Sequence, residues 1–254
     1  MPVYEGVHAY PDGDSTVARF AATAAEYGFD GVVVRNHSDA TADHDTGERT
    51  PSSEPSFADA YENPERIAEE YGVDMVDAIE VRADNPEVAT GHIGNYRPKH
   101  TILALHGGTN ALNRFAVESN RVDVLAHPMA NRGDFNHVLA KAAVEHEVRV
   151  EFDLARVLRA DGGPRVQALS DLRKLRELVE KYDVPYLVSA NPTSHLELRA
   201  PRELAAVGET IGFTADQIRQ GLAEWGVLAE RNRERMSDEF IAPGVKRGRY
   251  EEDA

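Results

Sequence analysis

The sequence predicts a TIM-like (β/α) barrel with seven recognisable parallel strands, the eighth either missing or too short to recognise, plus C-terminal helices. Three observations predict it. Seven short apolar runs alternate with helix-like stretches. The runs are rich in Val, Ile and Leu and poor in charge, as strands buried on both faces require. Four of the seven carry a histidine at or near the C-terminal end. A length of 254 residues suits one α/β barrel better than two ordinary domains.

Each element has its own signal. The first run, VYEGVHAY (3–10), precedes a helix over 15–27 that opens on Asp14-Ser15-Thr16 and closes on Gly28. The second, GVVVRNH (31–37), leads into residues 38–62, which are polar, acidic and without periodicity. That stretch reads as a disordered insertion. Helices over 64–71 and 86–95 each begin Asn-Pro-Glu, a capping Asn followed by Pro at the first helical position. Between them lies VDMVDAIEV (73–81). TILALH (101–106), VDVLAH (122–127), VRVEFD (148–153) and PYLVSA (185–190) complete the strands, with helices over 109–119, 135–146 and 165–182 in the intervals. Past residue 190 the pattern is helical, over 201–208 and 215–235, the latter opened by the capping box Thr214–Gln217. The chain therefore divides into one α/β-barrel domain, 1–242, and a flexible tail, 243–254.

Composition excludes several classes. No cysteine means no disulfide framework and no thiolate zinc site. No leader-like or membrane-length apolar stretch occurs, so the expectation is a cytoplasmic protein with no membrane partner. Phosphate loops of the GxxxxGK[ST] or GxGxxG type and a GxSxG elbow are also missing. The net charge is −16, from 44 carboxylates against 28 basic residues, of which only 5 are Lys. Acidity spread over the whole chain points to an extreme halophile rather than to an acidic mesophilic protein that repels nucleic acid. At about 1 M salt the Debye length is ~3 Å, so such a charge does not exclude RNA as a partner.

The strand ends carry the chemistry. His8, His37, His106 and His127, with Glu80 just inside the third run, fall at the C-terminal ends of strands, where a parallel barrel gathers its site. Imidazoles and a carboxylate could hold zinc, manganese or iron and activate water on a phosphoester. They could equally be hydrogen-bonded at the barrel mouth with no metal. Two features weigh against metal: Tyr10 stands two after His8, where a second ligand would be expected, and the last strand ends Ser189-Ala190-Asn191. Arginines cluster in the second half. Arg173 and Arg176 suit helical pairing with Asp171, Glu177 and Glu180. Arg156, Arg165, Arg199 and Arg202 fall in segments after the sixth and seventh strands, where guanidinium forks are suited to phosphate and RNA backbone.

Three segments carry a family likeness. VYEGVHAYPDGDSTVARFAATAAEYGFDGVVVRNH, then VDVLAHP with VEFDLARVLRADGGPRVQALSDLRKL, and VSANPTSHLELRAPRELAAVGETIGF together resemble the archaeal ribonuclease P protein component 3 family. The likeness covers nearly the whole chain except 38–62 and the tail, and rests on the ordered succession of segments rather than on one strict motif. It implies an α/β-barrel subunit of the ribonucleoprotein that removes 5′ leaders from precursor tRNA. It further implies a catalytic centre in the RNA, which binds the magnesium, with no catalytic residue and no cofactor in this chain. The implied partners are ribonuclease P RNA, other protein subunits of the particle, and precursor tRNA as substrate of the complex. The family is also similar in fold to the polymerase and histidinol phosphatase superfamily. His8, His37, Glu80, His106 and His127 match some of its metal positions, while Tyr10 and Asn191 depart from it. Two other classes stay open on the residues: a stand-alone metal-dependent phosphoesterase, and a protein-interaction module docking through the 215–235 helix with Trp225.

Overall fold

The computed structural model describes residues 1–39, 64–131, 133–237, 240–242 and 245–246. Nearly all of the insertion expected over 38–62 lies outside these residues. Seven strands form one sheet in sequence order, every neighbouring pair parallel. They are β1 (Tyr4–Val7), β2 (Gly31–Val34), β3 (Asp74–Val81), β4 (Ile102–His106), β5 (Val124–Ala126), β6 (Arg149–Asp153) and β7 (Tyr186–Ser189). The helices are α1 (Val17–Tyr27), α2 (Pro64–Tyr71), α3 (Pro86–Tyr96), α4 (Asn110–Val117), α5 (His137–Glu145), α6 (Ala155–Arg159), α7 (Gly162–Tyr182), α8 (Pro201–Ile211) and α9 (Ala215–Met236). A hairpin, β8 (Phe240–Ala242) with β9 (Val245–Lys246), straddles the domain boundary expected at 242. The remaining tail residues, 247–254, are not described.

Caps set the helix ends. Thr16, Asn85, Thr109 and Asn136 each accept a first-turn amide, and Thr214 and Gln217 cap reciprocally. These caps place α4 and α5 one or two residues inside the ranges expected from sequence. The short helix α6 is unexpected: its five residues, ARVLR, are too few to show a period.

No ladder joins β7 to β1 among the described residues, and the seam is closed in two other ways. Glu5 reaches across it, its Oε1 accepting from Ser189 Oγ at 2.6 Å and from Ala190 N at 3.0 Å. The second closure is α9, which packs on both edge strands. Its Trp225 is wholly buried and donates its indole N–H to the Val188 carbonyl at 3.0 Å. Gly6 on β1 is what admits the indole: a Cβ there would lie 3.2 Å from the Trp225 ring and 3.1 Å from the Arg35 side chain. Trp225, Leu228 and Ala229 join Val33, Ile102 and Leu187 in a core inside the barrel. The end of α9 is tied across the strand N-termini: Arg233 holds Asp74 through two bonds of 2.7 and 2.9 Å, Arg231 meets Asp123, and Asn232 donates to Thr101 O.

Burial pushes the Glu5 carboxyl up to about 8, against hydrogen bonds from Ser189 and Ala190 that pull it down. A group raised in the fold stabilises fully below its unfolded value of 4.5, and that contribution is lost as pH rises through 8. Glu5→Gln should therefore gain on the parent steadily between those limits and hold its lead above them. Urea midpoints of both proteins across that range check this, and parallel curves would refute it.

Candidate functional site

Strand register delivers the five predicted residues to one place. Side chains on alternate residues share a face, and the pairing aligns His37 with Glu80, Glu80 with Ala104, and His106 with Ala126. His8 and His37 stack with ring centroids 4.3 Å apart, and His106 and His127 lie 4.5 Å apart. Glu80, fully buried, is the hub. Its Oε1 meets His106 Nδ1 at 2.5 Å, and His37 Nε2 and His127 Nε2 each stand 3.4 Å from it.

Four further residues complete the mouth, none of them expected. Arg35 lies within the barrel with no exposed surface, its Nη2 2.8 Å from Glu80 Oε2 and its two terminal nitrogens 2.6 and 3.1 Å from the oxygens of Glu151. Its guanidinium also sits 5.4 Å from the centre of the Trp225 ring. Asp12 Oδ2 accepts from His8 Nδ1 and His37 Nδ1, both at 2.7 Å, and from the His37 amide at 3.0 Å. Asp153 meets His127 Nδ1 at 3.1 Å. Counting back by twos from the strand ends would have found three of these, since Arg35 precedes His37, and Glu151 precedes Asp153, by two positions. Asp12 belongs to the loop after β1 and has no such signal.

The charges are matched. Burial opposes every ion here, but Glu151 and Glu80 outweigh it and hold Arg35 firmly protonated. Arg35 and His127 in turn hold Glu80 well below the usual carboxylate range, again against burial. His127 is held well above 6.5 by Glu80 and Asp153, and His37 above it by Asp12 and Glu80. Burial depresses His8. Hydrogen bonds from His37 and His8 lower Asp12 despite its burial, and His127 likewise lowers Asp153. Burial drives Glu151 up against the pull of Arg35. Arg35 thus answers Glu80, His127 answers Asp153, and His37 answers Asp12.

Do these residues suit a divalent ion? Two triads have donor atoms close enough: His8, Asp12 and His37, and His37, Glu80 and His106. Asp12 orients both stacked rings, as outer carboxylates do around metals. The Nε2 atoms of His8 and His37 and the Asn191 Oδ1 make no hydrogen bond. Against this, a dication bound to Glu80 would stand beside a guanidinium already 2.8 Å from the same carboxylate, where little water screens the repulsion. As they stand, the residues do not fit a resident metal.

The four candidate arginines separate. Arg156, at the start of α6, is exposed and lines a small cleft with His127, Asp153 and Leu172. Arg165, in the first turns of α7, is exposed too. Arg199 is half-buried and occupied, donating to the carbonyls of Leu196 and Leu198. Arg202 lines a depression with Glu26 and Tyr27, at the C-terminal end of α1, beside Glu203 and Arg219. Arg159 clamps the rim, donating to the Ala190 and Asn191 carbonyls and pairing with Glu197. No helix among the described residues is long and apolar enough to cross a membrane.

Residues 3–237 match the family model described as RNase P subunit p30. The chain is 57% identical over 252 residues to "Ribonuclease P protein component 3" of Haloarcula marismortui, covering 99% of this chain and 98% of that protein. Among solved structures it is similar to a chain of "archaeal Ribonuclease P with mature tRNA", with a TM-score of 0.78, 23% identity, and coverage of 98% and 100%. More distantly it is similar to histidinol phosphate phosphatase from Lactococcus lactis complexed with zinc, L-histidinol and phosphate. That TM-score is 0.51 at 10% identity, with coverage of 91% and 93%, a likeness of fold.

Proposed function

The chain belongs to the RNase P subunit p30 family, and from that premise we propose that it is a protein subunit of ribonuclease P that supports the catalytic RNA and supplies no active-site residue of its own. Its partners are ribonuclease P RNA and the other protein subunits, and the complex removes 5′ leaders from precursor tRNA in the cytoplasm. Magnesium is bound by the RNA. The observation that carries this reading is family likeness over the whole length of the chain, at an identity above half, to a haloarchaeal component of that enzyme. The carboxylate-rich composition fits a halophilic cell.

In this reading the contribution is electrostatic and conformational. Arg156 and Arg165 offer guanidinium forks to RNA phosphates. A subunit that binds only folded RNA stabilises that fold by RT ln(1 + [L]/Kd), about 2.7 kcal/mol at a hundred times Kd. Arg199 orders the loop after β7, and Arg202 lines a separate depression that it shares with Arg219, Glu26 and Glu203. Removing Arg156 and Arg165 together should raise the magnesium concentration needed for cleavage in the reconstituted enzyme. It should also flatten the salt dependence of RNA binding, by about one unit of log–log slope for each arginine lost. Arg202→Ala should do less. Unchanged magnesium titrations for the variant lacking all four side chains would end the RNA-contact part of the proposal.

The stand-alone phosphoesterase is the weaker reading, because the carboxylate at the centre of its would-be metal site is already held by Arg35.

A further inference from the structure

We propose that Arg35 is a built-in replacement for a metal cation: it occupies the centre of the barrel mouth, holds Glu80 and Glu151 together, and keeps divalent ions out of a histidine-carboxylate ring that would bind one without it. The support is geometric. Glu80 and Glu151 come from β3 and β6, on opposite sides of the barrel, and their carboxylates converge within hydrogen-bond distance of one guanidinium. Two carboxylates drawn together in a dry interior need a positive charge between them, and a metal ion or an arginine can provide it. The imidazoles around that point carry the outer arrangement of a metal site. His8 and His37 are fixed through Nδ1 by Asp12, and His127 through Nδ1 by Asp153, so all three turn Nε2 inward toward Glu80. What stands where the ion's charge would act on Glu80 is the Arg35 guanidinium, 2.8 Å from its Oε2.

Imidazole nitrogens with a carboxylate select a divalent transition ion such as zinc or manganese over magnesium or calcium. With Arg35 in place, that ion would have to settle on Glu80 beside a fully buried guanidinium that Glu151 also holds through two bonds. With Arg35 gone, Glu80 and Glu151 would be unmatched and the ion would take the guanidinium's place. The consequence is a barrel mouth that cannot activate water beside a phosphodiester. This last point alone rests on the RNA-binding reading; the exclusion of metal does not depend on it.

The test uses the full chain, stripped with chelator, dialysed against manganese or zinc alone in molar potassium chloride, and read by elemental analysis and thermal melting. Wild type and Arg35→Lys are expected to hold only traces of ion and to melt at an unchanged temperature. Arg35→Met is expected to take up one ion per chain and to melt higher with it, and Glu80→Gln added to that variant should abolish the uptake. Should Arg35→Met fail to fold alone, refolding with zinc or manganese gives the same reading, and recovery with those ions but not with magnesium supports the proposal. A stoichiometric ion in wild type that Glu80→Gln releases would overturn it. So would an Arg35→Met chain that binds nothing, or that no ion restores. None of these outcomes bears on Arg156 or Arg165, so this proposal and the RNA-contact reading can fail separately.

Discussion

Trp225→Ala is expected to cost about 3–5 kcal/mol of folding stability, the range for deleting a large buried aromatic side chain. That is a large share of the 5–15 kcal/mol typical of a domain. Two losses add at this position. The first is the packing of the indole among residues of several strands inside the barrel. The second is its bond to the Val188 carbonyl, an acceptor that β7 would otherwise leave unpaired on its free edge. Arg35 also loses the ring face beneath it. Val227→Ala is the control: the side chain is on the same helix but half exposed, and its removal should change stability by less than about 0.5 kcal/mol. Denaturant midpoints in molar salt measure both. A loss below about 1 kcal/mol for Trp225→Ala would show that α9 merely lies against the barrel.

The second large effect is expected at the hub. Glu80→Gln keeps the shape but removes the charge that Arg35, His127 and His37 face, and breaking a buried ion pair costs about 3–5 kcal/mol. Its dependence on pH has a definite sign. Glu80 is depressed in the fold, so its contribution is present above 4.5 and lost as pH falls through the folded value. His127 is raised, so its contribution is complete below 6.5 and lost as pH rises through its folded value. The gap between parent and variant should therefore be widest between pH 4.5 and 6.5 and should narrow on both sides. Stability curves for the two proteins decide it; a gap independent of pH would mean that Glu80 acts through packing alone.

Seven strands, their direction and the gathering of four histidines with Glu80 were legible from apolar runs and their endings, because burial on both faces forces that pattern. The ions beneath them were less visible. Arg35 sits in GVVVRNH as a charge in an apolar run and reads as a strand end, although the alternation of side chains turns it inward with His37. Asp12 owes its position to the path of a loop, which no periodicity records. Trp225 shares one face of α9 with Ile218, Leu222 and Leu228, and all four are buried. That this face stands in for an eighth strand follows only from three dimensions.

The stopper helix has a consequence for biosynthesis. The first ribbon made, Tyr4–Val7, has one neighbour waiting in Gly31–Val34, but its other flank is covered by residues that leave the ribosome some two hundred positions later. Until then the nascent polypeptide carries an open edge and an empty base, both prone to sticking. Emergence of those residues, rather than of any half, is the moment at which this molecule can close.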